Sequence, residues 1–357
     1  MSLGHLLSLV KPRIVALLSL TGLCGLFAAG GAPVARVGGF LVAGAFVAGG
    51  SAALNCWYDR DLDREMERTA DRPLPSGELS QEVALAFAVG LLLAGTVVGL
   101  ASLPPVAVGY MWLGVAAYVG LYTAGLKRRS RLGVVLGGSA GSFPVLAGWT
   151  AVRPLEPVAL LAAALVFVWT PAHAWALAYV YRDDFAAVEV PTLPAVASVG
   201  RTATAVWVAA LATVGTAVLL VPVAGGVYAV AVLVGSPPFL VAYRRFYRVR
   251  TEPAAVLAFF TSNCYLAVLF LAWAAGGGVS QPSAVTLLVT ALATMGLHAW
   301  LWRRRPALRG VRASPVDWRA PVEWASAHGW RYGPSRVLVA LSNHATRLRD
   351  RVLEGSR

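Results

Sequence analysis

Residues 55–77 read NCWYDRDLDREMERTADRPLPSG, the most charged stretch of an otherwise apolar chain. Eight of the seventeen acidic residues fall between Asp59 and Glu82, with Arg60, Arg64, Arg68 and Arg72 among them. Asn55, Asp59 and Asp63 are spaced i, i+4, i+8. Four helical residues turn about 400°, so the three side chains drift by about 80° in all and share one face. A column of oxygen donors makes a partial cage for a hard divalent cation such as magnesium, which takes oxygen ligands and completes its shell with water and substrate phosphate. Asp61, Glu65 and Glu67 fall off that face. Arg68 and Arg72, four residues apart, can fork onto phosphate oxygens, and Pro73, Pro75 and Gly77 end the helix. Carboxylates that hold a metal beside arginines that hold phosphate amount to a recipe for a metal–diphosphate.

A second acidic stretch, YVYRDDFAAVEVPTLP, spans residues 179–194 and supplies Asp183 and Asp184. Two carboxylate clusters could grip one diphosphate from both sides, giving a donor set of Asn55, Asp59, Asp63, Asp183 and Asp184. Between them lies YTAGLKRRSR, where Tyr122, Lys127 and Arg128 are candidates for the leaving diphosphate and Arg129 and Arg131 read as ordinary interfacial anchors. The small residues GGSAGS at 137–142 favour close helix packing over a phosphate cradle.

These loops must be carried by apolar helices. Of 357 residues, 58% are hydrophobic and 13% charged, and the mean hydropathy is +0.67. Apolar runs of roughly 20 residues recur, each long enough to cross a bilayer. Spans are expected at 14–31, 37–57, 82–103, 105–124, 133–151, 157–181, 203–222, 225–242, 255–276 and 283–302. The LPP turn at 103–105 leaves a re-entrant arrangement open there. The expected fold is all-α, a polytopic membrane helical bundle: a short segment 1–13, a catalytic domain 14–276 with nine core spans, a tenth span within 277–302, and a basic tail 303–357. The strict alternation of a transmembrane barrel is missing. Cys24, Cys56 and Cys264 are far apart and give neither a disulfide framework nor a zinc site.

With the N-terminus inside, inside segments before residue 303 hold sixteen Lys and Arg and outside segments hold Arg36 and Arg153. The twelve tail arginines fall inside too. The +13 net charge therefore follows topology and the lipid bilayer, and no basic patch with a stacking platform points to nucleic acid. The expected location is the cell membrane, multi-pass, with the N-terminus and acidic loops cytoplasmic. In the tail, Val337, Leu341, Leu348 and Val352 recur at helical spacing beside Arg347, Arg349 and Arg351, as in an interfacial helix. Both acidic loops emerge on the same side and are about four spans apart, which hints at a repeated four-helix unit.

KPRIVALLSLTG (11–22), NCWYDRDLDREMERTADRPLPSG, YTAGLKRRSRLGVVLGGSAGSFPVLAGW (122–149), WTPAHAWALAYVYRDDF (169–185), VPTLP (190–194) and FFTSNCYLAVLF (259–270) occur in this order. On these stretches the chain resembles the UbiA superfamily of intramembrane prenyltransferases, and within it the haem O synthase (protoheme IX farnesyltransferase) branch, over roughly residues 8–276. The resemblance implies farnesyl transfer from farnesyl diphosphate to haem B with magnesium as cofactor. It assigns catalysis to Asp59, Asp63, Asp183 and Lys127, diphosphate binding to Asn55, Arg68, Arg72, Tyr122 and Arg128, and the acceptor to His173 and Trp175. Trp57, Tyr58, Trp169, Trp175 and Tyr179 are aromatic candidates for stabilising an allylic cation. A haem A synthase or a terminal oxidase assembly is the partner it implies. The chain departs from the pattern at Ala187 and Val188, where a second Asp is usual, and at Ala172 and Ala174 around His173. The alternatives are another acceptor, a quinone-precursor ring or a glycerol-phosphate lipid, and, in a different class, a cation transporter. Transporters carry their ionisable groups near the midplane on broken helices, whereas here they cluster at one edge.

Overall fold

The computed structural model describes residues 3–66 and 69–276. The expected tenth span, the basic tail with its interfacial helix, and the pair Glu67 and Arg68 lie outside the described residues. Every regular element described is helical. α1 (Leu3–Val10) and α2 (Pro12–Ala28) meet at a 45° bend. Its pivot is Lys11, in the left-handed region at φ 53°, followed by Pro12, whose missing N–H breaks the helical ladder.

α3 (Val34–Tyr58) ends one residue before α4 (Arg60–Glu65). Asp59 sits in the break, yet the i→i−4 bonds run through it, from Asp59 N to Asn55 O at 2.9 Å and from Asp63 N to Asp59 O at 2.7 Å. The column expected from the i, i+4, i+8 spacing is thus preserved across a change of helix. The same device recurs: α9 (Pro157–Val180) is followed, after Tyr181 alone, by α10 (Arg182–Ala187). Each acidic stretch is therefore carried past the end of a long helix by a six-residue helix, which holds Asp63 in one case and Asp183 and Asp184 in the other.

α5 (Gln81–Ser102) begins at Ser80, whose hydroxyl accepts from Val83 N. It turns through Leu103 and Pro104 into α6 (Pro105–Val115), which continues as a π-helix over Ala116–Leu126. The two arms are 22 residues each, so the LPP turn joins two full-length helices. The stretch expected as a single fifth span is broken into α7 (Gly133–Gly137), a 3-10 turn (Gly138–Gly141) and α8 (Phe143–Thr150). Gly137, Gly138, Gly141 and Pro144, in so short a run, are poor helix formers. They also permit tight contacts: a Cβ on Gly137 would meet the Tyr122 ring at 2.6 Å, and one on Gly138 the Thr170 side chain at 2.8 Å. At the crossing of α2 with α8, a Cβ on Gly148 would run into the Gly22 carbonyl, a close approach typical of membrane helix pairs.

After α10, the four-residue α11 (Leu193–Val196) leads to α12 (Val199–Ala224), α13 (Gly226–Val249) and α14 (Glu252–Gly276). Among the described residues seven helices are long and apolar enough to cross a bilayer, and the bent α1–α2 pair makes an eighth. The largest core joins α9, α12, α13 and α14 around Phe239, Tyr243, Phe246 and Tyr265, all fully buried.

Candidate functional site

Asn55, Asp59 and Asp63 are 6%, 1% and 5% exposed, although all are polar and two are charged. Burial on this scale demands partners, and each donor has its own. Asn55 Oδ1 accepts from Lys11 Nζ at 2.7 Å and from the Tyr118 hydroxyl at 3.0 Å. Its amide donates to Asp59 Oδ2 at 2.8 Å and to Thr123 Oγ1 at 3.1 Å. Asp59 Oδ2 also accepts from Lys127 Nζ at 2.5 Å, and Arg128 Nη2 stands 3.7 Å from Oδ1. Asp63 Oδ2 accepts from Arg72 Nη1 at 2.7 Å. The Asp63 carbonyl takes the Thr69 hydroxyl at 2.7 Å, which folds the RPLPSG turn back onto the helix and delivers Arg72.

The π-helix supplies the opposite wall. Its wider turn lets Thr123 Oγ1 reach the Tyr118 carbonyl at 2.8 Å while that hydroxyl also faces Asn55; inserted π turns of this kind recur at functional sites. It brings Tyr118 and Tyr122 into a near-parallel stack, with centroids 6.3 Å apart. Lys127 closes it, bonding from its backbone N to the Tyr122 carbonyl at 2.8 Å. Tyr118 and Tyr122 also line a cavity of about 370 Å³, together with Leu17, Trp169, His173 and Phe270. Tyr118 therefore belongs to both assemblies, bonding Asn55 of the charged cluster and lining a mostly apolar chamber, with Tyr122 stacked beside it on the cavity wall.

Within that chamber His173 Nδ1 is 2.7 Å from Ser262 Oγ. Its ring lies between Trp169 and Phe259, at centroid distances of 4.1 and 4.4 Å. Trp175 is 9% exposed, belongs to the core and does not line the cavity. Of the five aromatics singled out for a cation, Trp169 is the one on the cavity wall; Tyr118, Tyr122 and Phe270 join it. Trp57 instead lies beneath the Arg60 guanidinium, 5.2 Å away.

The second motif sits beside the first. Leu62 and Met66 pack with Phe185, Val188 and Val190 into one small apolar cluster, so the two acidic helices share a face of the protein. α10 is tied to the α13–α14 turn. Arg182 donates to Glu252 at 2.9 Å and to the Tyr179 carbonyl at 2.8 Å, its guanidinium lies 4.7 Å over the Tyr179 ring, and the Tyr179 hydroxyl bonds the Arg250 carbonyl at 2.6 Å. The Asp183 side chain is 78% exposed, 3.8 Å from Arg182, and Asp184 is half-buried. Among the described residues no three His, Cys, Asp or Glu converge as a metal-holding group. Asn55, Asp59 and Asp63 are one set and Asp183 with Asp184 a neighbouring one. Arg68 lies outside the described residues.

The first set has the chemistry of a magnesium site: donors are oxygen throughout, and Asp59 Oδ1 is buried without a hydrogen bond from any described residue, a lone pair available to a cation. Sequence reasoning missed Lys11, Tyr118, Thr123, Ser262 and Glu252 as members of these assemblies. Lys11 had a signal, since the lysine of KPR starts an apolar run directly before a proline within the stretch KPRIVALLSLTG, but it is counted there as an inside cation and given no place in the site. Tyr118 precedes Tyr122 by four positions and could have been placed on its face. Ser262 and Glu252 have no local signal.

The profile of the UbiA prenyltransferase family matches residues 17–264. A protoheme IX farnesyltransferase of a Nocardioides species is 41% identical over 281 residues, covering 76% of this chain and 90% of that one. Two solved structures share the fold at 17% identity. That of digeranylgeranylglyceryl phosphate synthase has a TM-score of 0.64 and covers 77% of this chain and 98% of its own. The other, a UbiA homolog from Archaeoglobus fulgidus bound to DMAPP and Mg2+, has a TM-score of 0.59 and covers 77% and 99%. By its matched span, its helical bundle and its paired acidic motifs, the chain belongs to the UbiA prenyltransferase family.

Proposed function

We propose that the chain transfers the farnesyl group of farnesyl diphosphate to haem B to form haem O. The observation that carries this reading is the border at Tyr118 and Tyr122, where a charged cluster meets an apolar cavity. A prenyl diphosphate has the same two-part chemistry. The farnesyl acceptor assignment is supported by the 41% identity to the Nocardioides relative.

In this reading Lys127, Arg128 and Arg72 neutralise the diphosphate as the allylic C–O bond breaks and negative charge grows on the leaving group. Arg68, four positions before Arg72 in the sequence, is expected to join them. Asn55, Asp59 and Asp63, with Asp183 and Asp184 from the neighbouring helix, are the residues that would hold magnesium. Held by these residues, a metal ion would supply further positive charge to stabilise the leaving diphosphate. The cavity keeps water from the allylic cation until it meets the acceptor, and the Trp169 and Tyr118 faces stabilise positive charge by about 1–2 kcal/mol each. His173 stands on the cavity wall as a polar group able to orient the acceptor. The sixteen-to-two charge asymmetry of the loops supports a cytoplasmic site.

The test is direct. The purified chain, in detergent with magnesium, is incubated with labelled farnesyl diphosphate and a panel of haem B, a quinone-precursor ring and a glycerol-phosphate lipid. Label in a haem product is expected; label in another acceptor, with haem untouched, would replace this assignment.

A further inference from the structure

Three donors of the first cluster are each capped by a cation from a different part of the chain. Arg72 takes Asp63, Lys127 takes Asp59, and Lys11 takes Asn55. Lys11 differs from the other two. It is not paired with a carboxylate, so neutralisation of an acid does not explain its position. Its ammonium occupies a neutral amide oxygen, held there by Tyr118 at 3.3 Å and by the left-handed backbone at the α1–α2 bend. A non-glycine residue in that region is strained and persists only where its surroundings fix it. Lys127 and Arg72 contact the two carboxylates, Arg128 stands 3.7 Å from Asp59, and Lys11 on the Asn55 amide makes a fourth cation against those two acids. The pocket is over-neutralised before any ligand arrives.

An over-neutralised pocket repels a bare divalent cation and attracts a polyanion. The geometry points to Lys11 as a placeholder cation that keeps magnesium off Asn55 Oδ1 until diphosphate arrives. Metal and diphosphate then bind as a unit, because the anion's charge offsets Lys11 and draws its ammonium from the amide to the phosphate oxygens. The bend at Lys11 is the pivot for that movement. This rests on the metal–diphosphate reading of the cluster and adds to it an order of binding.

Two affinities moving in opposite directions test it. Full-length wild type and Lys11→Met, in detergent, are titrated calorimetrically with magnesium alone and with preformed magnesium–pyrophosphate. Relative to wild type, Lys11→Met should bind magnesium alone about tenfold more tightly and magnesium–pyrophosphate about tenfold more weakly, a modest coupling between two sites. Lys11→Arg should restore the wild-type order. Both affinities falling together in Lys11→Met, as a merely structural role requires, or metal affinity unchanged, would overturn the placeholder role. If wild type fails to bind magnesium–pyrophosphate at all, the underlying site reading fails instead. Lys11→Gln, close in length and polar, takes the same measurement should the methionine variant not fold.

Discussion

Lys127 Nζ and Asp59 Oδ2 lie 2.5 Å apart although 68 positions separate them in the chain. Their side chains are 13% and 2% exposed, so this is a buried ion pair reaching from the α3–α4 break to the end of the π-helix. Losing one member of such a pair leaves an uncompensated charge and costs about 3–5 kcal/mol. Lys127→Met should therefore lower both the Tm and the turnover, the latter by about 10²–10³ if Lys127 also serves the leaving group. Adding Asp59→Asn should recover much of the Tm and none of the turnover. Thermal unfolding of the three proteins beside their rates separates the two effects, and recovery of both would reduce Lys127 to a structural role.

Chelation tests the metal side. Asn55, Asp59 and Asp63 are buried together and offer oxygen atoms as metal donors, and hard cations in such sites are held by carboxylates and phosphate together. Excess EDTA should abolish prenyl transfer, with recovery on adding magnesium. Asp63→Asn should raise the magnesium concentration for half-maximal rate by about tenfold or more and weaken the grip on Arg72 at the same time. Full activity in EDTA would remove the metal from the mechanism.

The acidic columns were legible in the sequence because a helical period survives a change of helix: Asn55, Asp59 and Asp63 keep their shared face through the break at Asp59. The spans were legible because bilayer thickness sets a length that apolar runs must meet. The subdivision of 133–150 was harder, since hydropathy registers Gly137, Gly138 and Gly141 as mildly apolar while the backbone registers them as breaks. Lys11 was hidden by a rule that is correct on average, because a lysine at the start of a span is usually an anchor. Its role depends on a left-handed φ and on Tyr118, 107 positions away, and neither leaves a local trace. Ser262 and Glu252 were invisible for the same reason: their partners, His173 and Arg182, are brought to them by helix packing alone.

Glu252 offers a test of positioning without touching the carboxylates. It fixes Arg182 at 2.9 Å, and Arg182 begins α10, which carries Asp183 and Asp184. Glu252→Gln keeps the shape and removes the charge. A charge-assisted bond of this kind contributes about 1.5–3 kcal/mol, and loss of an outer partner commonly weakens metal affinity by about tenfold. The expected result is a higher magnesium requirement with the rate at saturating magnesium largely kept, and restoration by Glu252→Asp in part. A fall in the saturated rate with no change in magnesium requirement would dissociate α10 from the metal.

His173 separates donor chemistry from acceptor chemistry. Its ring is clamped between Trp169 and Phe259, and its Nδ1 is fixed by Ser262 at 2.7 Å, so its remaining edge has one orientation relative to the cavity it lines. Removing the Ser262 hydroxyl frees that orientation without changing the ring. Ser262→Ala should lower kcat/KM for haem by about three- to tenfold, the 0.5–1.5 kcal/mol of a single hydrogen bond. His173→Ala should lower it further, because the cavity then holds no imidazole at all. Neither change touches Asn55, Asp59, Asp63 or Lys127, so binding of magnesium–pyrophosphate should stay at the wild-type level in both. Competition between haem and a quinone-precursor ring gives the sharper reading. If His173 orients the haem, His173→Ala shifts the product ratio away from haem, whereas equal losses on both acceptors would place His173 among the residues that merely shape the cavity.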